Sequence, residues 1–282
     1  MCGIYGMAIF EGCKIKPAIL RMILKNLAVE SKVRGRDATG YAFTGKKGIT
    51  IFKHNVYAEA FTQLDNYKKV VRENLPSFGG DQSPFSIIGH TRAQTQGCHT
   101  DPNNNHPIRT GTIVGVHNGQ ITNDDSIFSF LKTVSDGKVK RIGMVDSEAI
   151  FSLVDYFAKR HKFPSKYTAA NVIGHIEDPT TTAISEAAER LAGGYACALT
   201  DSDNPKSLWL FKNTGALEVH YYREERLLIF ASVERFIENS VKLYNFSDPD
   251  SIVVKNDSGM CINVLKGAYS MFDLKKSKHT CY

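Results

Sequence analysis

The sequence predicts one α+β domain in which helices pack on antiparallel sheets. Three observations favour this class: stretches with apolar residues on one helical face, short apolar runs typical of strands, and turn clusters that separate the runs. The 282 residues are 42% hydrophobic and 23% charged, which is ordinary for a globular protein able to bury a large core without disulfides. We find no repeat, low-complexity tract or convincing linker.

The first half of the chain mixes strands and helices. Its predicted elements are a strand at 3–10 (GIYGMAIF), a helix from Pro17, a strand near 41–44 after the turn-rich VRGRDATGYAF, a helix at 57–75, and strands at 85–91 and 111–117. The helix from Pro17 has Ile19, Ile23 and Leu27 on one face, and proline is favoured in the first turn of a helix. The last two strands each end in a polar, glycine-containing motif.

The second half begins with helices at about 147–161, with Ile150, Val154 and Phe157 facing inward, and at about 181–191 after Pro179. Short β-rich runs follow, separated by turn clusters such as DSDNP and KNDSG. These runs indicate antiparallel strands.

The composition excludes several classes of protein. The formal charge of +6 is carried by scattered lysines and arginines, so nucleic acid is not an expected partner. The six cysteines form no CxxC pair, and neither a secretion signal nor an apolar run long enough to cross a membrane is evident, which favours a cytoplasmic protein. Nucleotide-binding and serine-hydrolase motifs are missing, and the histidines of GCHTDPNNNHP match no standard zinc spacing. We therefore expect no cofactor and no metal.

Cys2 follows the initiator methionine in MCGIYG. A cysteine exposed at the N-terminus can act as a nucleophile because its own α-amine, with an ordinary pKa of about 8, can accept the thiol proton. This chemistry requires removal of Met1. A small buried cysteine in an edge strand is the alternative, and the residue alone favours it.

Three later motifs offer partners for such a nucleophile, each with an alternative. In GHTRAQTQG, Arg92 can hold a carboxylate with help from Thr95, or it can be a surface arginine. In HNGQITN, the side-chain amide of Asn118 and the backbone N–H of Gly119 can form an oxyanion hole, and Asn-Gly is also a hairpin turn. In MVDSEAIF, Asp146 can bind an ammonium group or cap a helix.

A fourth motif, RGRDATG, places Arg34 and Asp37 in a loop that could brace the pocket, with a local turn or ion pair as the alternative.

The ordered set MCGIYG, RGRDATGYAF, GHTRAQTQG, HNGQITN, VDSEAIF, GGYACALTD and LIFASVERFI resembles the class II glutamine amidotransferase domain over about residues 2–265, with 266–282 as a C-terminal tail. The resemblance implies a four-layer αββα sandwich of two antiparallel sheets, the N-terminal nucleophile hydrolase fold. It also implies that Cys2 is the nucleophile, that Asn118 and Gly119 form the oxyanion hole, and that Arg34 supports the loop beside Cys2. Arg92, Thr95 and Asp146 would bind the charged groups of glutamine.

The expected function is therefore hydrolysis of the side-chain amide of L-glutamine through a Cys2 thioester, with ammonia delivered to a separate synthase or ligase. Two departures stand in the HTR motif, where Ala93 replaces a usual aromatic residue and Gln96 a common histidine. Two alternatives stay open: an amidohydrolase acting on another γ-glutamyl or amide substrate without ammonia transfer, and a non-catalytic regulatory module of the same fold. The oligomeric state is open.

Overall fold

The computed structural model describes residues 2–45, 48–75, 85–162 and 178–274. The described strands are β1 (Gly3–Ile9), β2 (Ala38–Gly45), β3 (Gly48–His54), β4 (Phe85–Arg92), β5 (Ile108–Thr110), β6 (Ile113–Ile121), β7 (Gly193–Asp201), β8 (Asn204–Lys212), β9 (Glu218–Tyr222), β10 (Leu227–Ala231), β11 (Asp250–Ile252), β12 (Ser258–Asn263) and β13 (Ala268–Asp273). The described α-helices are α1 (Pro17–Ser31), α2 (Ala58–Gln63), α3 (Asp65–Asn74), α4 (Asp124–Val134), α5 (Ser147–Lys162), α6 (Pro179–Ala188) and α7 (Glu234–Val241).

The strands form two antiparallel sheets. The first sheet has the order β11-β9-β10-β1-β4-β2-β3, and the second has the order β13-β12-β8-β7-β6-β5. Three apolar cores separate the layers: one between α1, α2, α3, α7 and the first sheet, one between the two sheets, and one between the second sheet and α4, α5 and α6. The predicted α+β class and the four-layer αββα sandwich are both confirmed.

The continuous apolar run of β1 follows from its position inside the sandwich. Tyr5 and Met7 point into the helix-side core, while Ile4 and Ala8 point into the core between the sheets. Successive side chains of a strand face opposite sides, so a strand covered on both faces needs apolar residues throughout. This layering buries the strand that follows Cys2 and fixes where the chain enters the sheet.

The predicted helices differ from the structure in two respects. The predicted helix at 57–75 is two helices, because Leu64 is extended (ψ 135°) between α2 and α3. Helices α4 and α7 were not predicted, and α7 lies in a segment expected to be β-rich. Strand β13 pairs with β12, so the predicted domain boundary at 265 falls inside a hairpin of the second sheet; the end of the predicted tail, 275–282, lies outside the described residues.

Candidate functional site

Cys2 lies just before β1, where β4 ends. Because Gly3 pairs with Thr91, Cys2 is held beside the residues that follow β4. The Ala93 backbone N–H donates to Cys2 Sγ at 3.3 Å, and Arg34 Nε donates to the Cys2 carbonyl oxygen at 2.6 Å. The backbone and the side chain of Cys2 are therefore each fixed by a separate contact.

The groups around the Cys2 thiol shift its pKa in opposite directions. Burial raises the pKa of the Cys2 thiol above its usual value, while the hydrogen bond from Ala93 and the positive charge of Arg92 lower it. The negative charge of Asp146 raises this pKa further. Because burial dominates, the thiol is protonated near neutral pH and needs a base to become a nucleophile.

Arg92, the last residue of β4, organises the loop that follows it. The side chain is almost completely buried, and Nη1 donates to Asn105 Oδ1 at 2.8 Å. Nη2 donates to the carbonyl oxygens of Gln96 and Gly97, both at 2.6 Å. A guanidinium carries five N–H donors, so these three bonds leave two for a ligand. Arg92 thus folds the 93–105 loop in addition to its predicted role as a carboxylate clamp.

The outer part of the 93–105 loop is tied to the RGRDATG segment. Asp37 Oδ2 accepts from the Gln94 backbone N–H at 2.6 Å, and the Asp37 backbone N–H donates to the Arg92 carbonyl oxygen at 2.9 Å. Asp37 is therefore the brace between the two segments. Thr95, predicted to assist Arg92, is exposed on this loop.

Asn118 lies near the end of β6 in the second sheet and is buried. Its Nδ2 donates to Ser232 Oγ at 2.7 Å, and the same hydroxyl accepts from the Ile4 backbone N–H at 2.8 Å. Ser232 follows β10 of the first sheet. One serine hydroxyl therefore joins the predicted oxyanion residue to the strand that begins one residue after Cys2.

Gly119 has a φ of +137°, and its backbone is exposed. A Cβ at this position would overlap the carbonyl oxygen of Gly194 and lie 2.9 Å from His117 Nε2. Only glycine tolerates both this backbone conformation and this close approach. The Asn-Gly pair lies within β6 rather than in a hairpin turn, and Gly119 presents a bare backbone to solvent.

Asp146 is buried immediately before α5. Its Oδ2 accepts from the Ile121 backbone N–H at 2.7 Å, and its Oδ1 accepts from the Ser147 backbone N–H at 2.9 Å. The carboxylate therefore bridges the end of β6 and the beginning of α5. Each oxygen has a second lone pair with which to accept from an ammonium group.

The two sheets bring the predicted residues to one place. Cys2, Arg34 and Arg92 come from the first sheet and its loops, and Asn118, Gly119 and Asp146 from the second. The Ser232 hydroxyl is one link between the two sheets. A second link is direct: His90 Nε2 donates to the His117 carbonyl oxygen at 3.0 Å and so connects β4 to β6. The charges of Arg92 and Asp146 both act on the Cys2 thiol. Thr95 and Gly119 are the exposed members of the predicted set.

Three further histidines, which the motifs did not identify, lie beside the site: His90, His106 and His117. All three are buried, and the rings of His90 and His106 contact each other with centroids 4.1 Å apart and planes tilted by 37°. His117 Nδ1 is 2.8 Å from Ser147 Oγ, next to Asp146. Two of these histidines stand inside the HTR and HNG motifs and the third in NNNHP, so their presence beside the predicted functional residues was the available signal.

Within residues 2–45, 48–75, 85–162 and 178–274, no group of three or more His, Cys, Asp or Glu side chains is arranged to hold a metal ion. Across the same part of the chain, no helix is both long and apolar enough to cross a membrane.

The chain is similar to curated glutamine-dependent aminotransferases. It is 26% identical over 299 residues to the glutamine–fructose-6-phosphate aminotransferase of Bacillus subtilis, covering 98% of this chain and 43% of that protein. It is 25% identical over 259 residues to the Staphylococcus epidermidis protein of the same name, covering 92% of this chain and 36% of that protein. The chain thus spans about two fifths of the length of these relatives. No protein-family model matches it.

Solved structures share the fold. The glutamine phosphoribosylpyrophosphate amidotransferase of B. subtilis superposes with a TM-score of 0.62 at 15% identity, covering 98% of this chain and 50% of that one. A glutamine aminotransferase class-II domain protein of Silicibacter pomeroyi superposes with a TM-score of 0.54 at 12% identity, covering 97% of this chain and all of that one. The relatives and the shared fold confirm the resemblance on which the expected site rests.

Proposed function

We propose that this chain, a class II glutamine amidotransferase domain by sequence relatives and by fold, hydrolyses the side-chain amide of L-glutamine to glutamate and ammonia. The observation that carries the proposal is the convergence of Cys2 with the Asn118–Gly119 pair and Asp146 across two sheets. The names of the relatives support glutamine as the nitrogen donor.

The reaction proceeds in two steps through a covalent intermediate. The Cys2 α-amine, free once Met1 is removed, accepts the thiol proton, and Sγ attacks the amide carbon. The proton passes to the leaving nitrogen, the C–N bond breaks, and ammonia departs from a γ-glutamyl thioester. Water then adds to the thioester, and cleavage of the C–S bond releases glutamate and restores the thiol.

The surrounding groups stabilise and orient the reactants. The Asn118 side-chain amide and the Gly119 N–H donate to the oxyanion that forms during both steps, and losing one such donor costs about 3 kcal/mol of transition-state stabilisation. Arg92 binds the α-carboxylate through one of its remaining donors, Nε–H or the second Nη1–H, with Thr95 beside it, and Asp146 accepts from the α-ammonium group. Arg34 keeps the Cys2 carbonyl, and with it the N-terminus, in position.

A substrate assay with a matched variant tests the proposal. The purified protein without Met1 should release equal amounts of glutamate and ammonia from glutamine, and Cys2→Ala should abolish the release. Cys261→Ala, which removes another half-buried cysteine on β12, should leave it intact. Failure of the protein without Met1 to hydrolyse glutamine, with candidate acceptors present, would contradict the proposal. Faster turnover of γ-glutamyl peptides than of free glutamine would instead support the amidohydrolase alternative.

We further propose that the ammonia passes to an acceptor on a separate synthase or ligase in the cytoplasm. The aminotransferase names of the relatives support transfer of the nitrogen to an acceptor. The described cysteines are free, which suits a reducing compartment. Co-purification from the native source, followed by transfer of ¹⁵N from the amide of glutamine to a product, tests this step.

A further inference from the structure

The two loops predicted to bind the charged ends of the substrate meet through an ion pair that the sequence motifs did not identify. Asp124 opens α4 and is largely buried, and Arg141 Nη2 donates to its Oδ2 at 2.7 Å. On the same carboxylate oxygen, Gln96 Nε2 approaches to 3.4 Å. Asp124 therefore contacts the 93–105 loop on one side and the 136–146 loop on the other.

Arg141 is held in place by three further contacts. Its Nε donates to the Gly143 carbonyl oxygen at 3.0 Å, its Nη1 donates to Asp125 Oδ1 at 2.8 Å, and its guanidinium lies 5.1 Å from the centre of the Phe128 ring. The Arg141 side chain is 19% exposed. A guanidinium fixed by several partners in a mostly buried place forms a stronger ion pair than a mobile surface arginine does.

A second contact joins the same two loops. Asn104 Oδ1 accepts from the Met144 backbone N–H at 2.7 Å, while Asn104 Nδ2 donates to the Cys98 carbonyl oxygen at 2.9 Å. Because Met144 is two residues before Asp146, any shift of this contact moves the carboxylate that would bind the α-ammonium group. The loops are thus joined at two points, one neutral and one charged.

We propose that the Asp124–Arg141 ion pair is a positioning element. It holds Gln96, and the loop that Arg92 folds, against the segment that leads to Asp146. In this way it sets the separation between the groups that bind the carboxylate and the ammonium of glutamine. The amide of Gln96 reaches the pair through Asp124 Oδ2. The inference rests on the proposed function, and its test also has a readout that does not.

The kinetic test compares two neighbouring aspartates that share one arginine. Asp124→Asn should raise KM for glutamine roughly tenfold, the effect of losing one charge-assisted hydrogen bond, with kcat changed less than twofold. Asp125→Asn is the matched comparison: it also removes a carboxylate partner of Arg141, but that carboxylate is 94% exposed, so KM should rise much less than in Asp124→Asn. Equal effects of the two variants, or a fall in kcat with KM unchanged, would overturn the proposal.

A structural readout separates this inference from the proposed function. Backbone hydrogen exchange at Gln94 and Met144 should accelerate more in Asp124→Asn than in Asp125→Asn, whether or not the protein hydrolyses glutamine. In a double-mutant cycle, Gln96→Ala should add less to the effect of Asp124→Asn than it costs alone, because the two side chains act through one contact. Unchanged exchange in Asp124→Asn, or full additivity, would refute the positioning role even if glutaminase activity were present.

Discussion

The three buried histidines predict a steep loss of stability on mild acidification. Burial lowers the pKa of His90 to about 3, that of His106 well below its usual value, and that of His117 in the same direction. The ring nitrogens of His106 have no hydrogen-bond partner among the described residues, so nothing compensates a charge placed there. All three rings are therefore neutral in the folded protein at pH values where an unfolded histidine is protonated.

The magnitude follows from proton linkage. A group whose pKa is depressed in the folded state binds fewer protons in the folded state than in the unfolded state. Its contribution to the free energy of unfolding is therefore complete above the unfolded pKa of about 6.5 and is lost as pH falls below it. His90 and His106, whose pKa values are lowered most, each remove at most about 1.4 kcal/mol per pH unit below that point, so together they remove up to about 3 kcal/mol per unit. Between pH 6.5 and 5 the loss from these two groups reaches about 3 kcal/mol, a large part of the stability of many domains.

The assay is the free energy of unfolding in urea, measured from pH 7.5 to 5 for three proteins. Replacing His106 with Gln should reduce the slope against pH by up to about 1.4 kcal/mol per unit, whatever it does to the stability at pH 7.5. His54→Gln, at an exposed position on β3, is the control and should keep the full slope. An unchanged slope in His106→Gln, or an NMR titration of the His106 ring near pH 6.5 in the folded protein, would refute the reasoning.

Two further predictions concern Gly119 and Lys53. Gly119→Ala should destabilise the protein by about 2 kcal/mol or more and abolish activity, because the new methyl group overlaps the Gly194 carbonyl oxygen. Gly137 also has a positive φ but has open space around it, so Gly137→Ala is the control. It should reduce the free energy of unfolding in urea by only about 1 kcal/mol and leave activity unchanged. Equal effects would show that backbone conformation alone explains the loss. Burial lowers the pKa of Lys53 to about 8, and its ammonium donates to the carbonyl oxygens of Asn105 and Pro107. The folded state releases this proton at a lower pH than the unfolded state, so the free energy of unfolding should rise between pH 8 and 10.5. The rise should be less than about 1.4 kcal/mol per pH unit, because solvent screens this partly exposed group. Lys53→Met should remove the rise. A rise that persists in the variant would assign it to another group.

Several elements were predictable because one local pattern determined them. The run GIYGMAIF became β1 because both of its faces are covered, and the apolar spacing of Ile150, Val154 and Phe157 became the buried face of α5. Helix α7 was missed because its eight residues are too few for a clear period, although Phe236, Ile237 and Val241 are buried at helical spacing. Short helices depend on tertiary packing more than on local sequence.

The candidate site shows a different limit. Motifs correctly placed Cys2, Asn118 and Asp146 near strand and helix ends. No local pattern indicates a role for Ser232 or Lys53, and the three histidines are marked only by their position beside the motif residues. Their contacts join residues far apart in the chain, as Ser232 does with Ile4 and Asn118. Such contacts depend on strand register and on how the two sheets face each other, and neither is determined by spacing within one motif.

The division of the site between the two sheets gives these long-range contacts their importance. Cys2 lies just before β1 of the first sheet, and Asn118 lies near the end of β6 of the second sheet. Their separation therefore depends on how the two sheets pack rather than on the stiffness of one segment. The Ser232 hydroxyl and the bond from His90 to the His117 carbonyl oxygen cross that gap. Protonation of His90 would place a charge in the buried layer that positions the nucleophile against the oxyanion residue. Folding stability and site geometry therefore depend on the same neutral imidazoles, and activity should not survive at a pH where these histidines become charged.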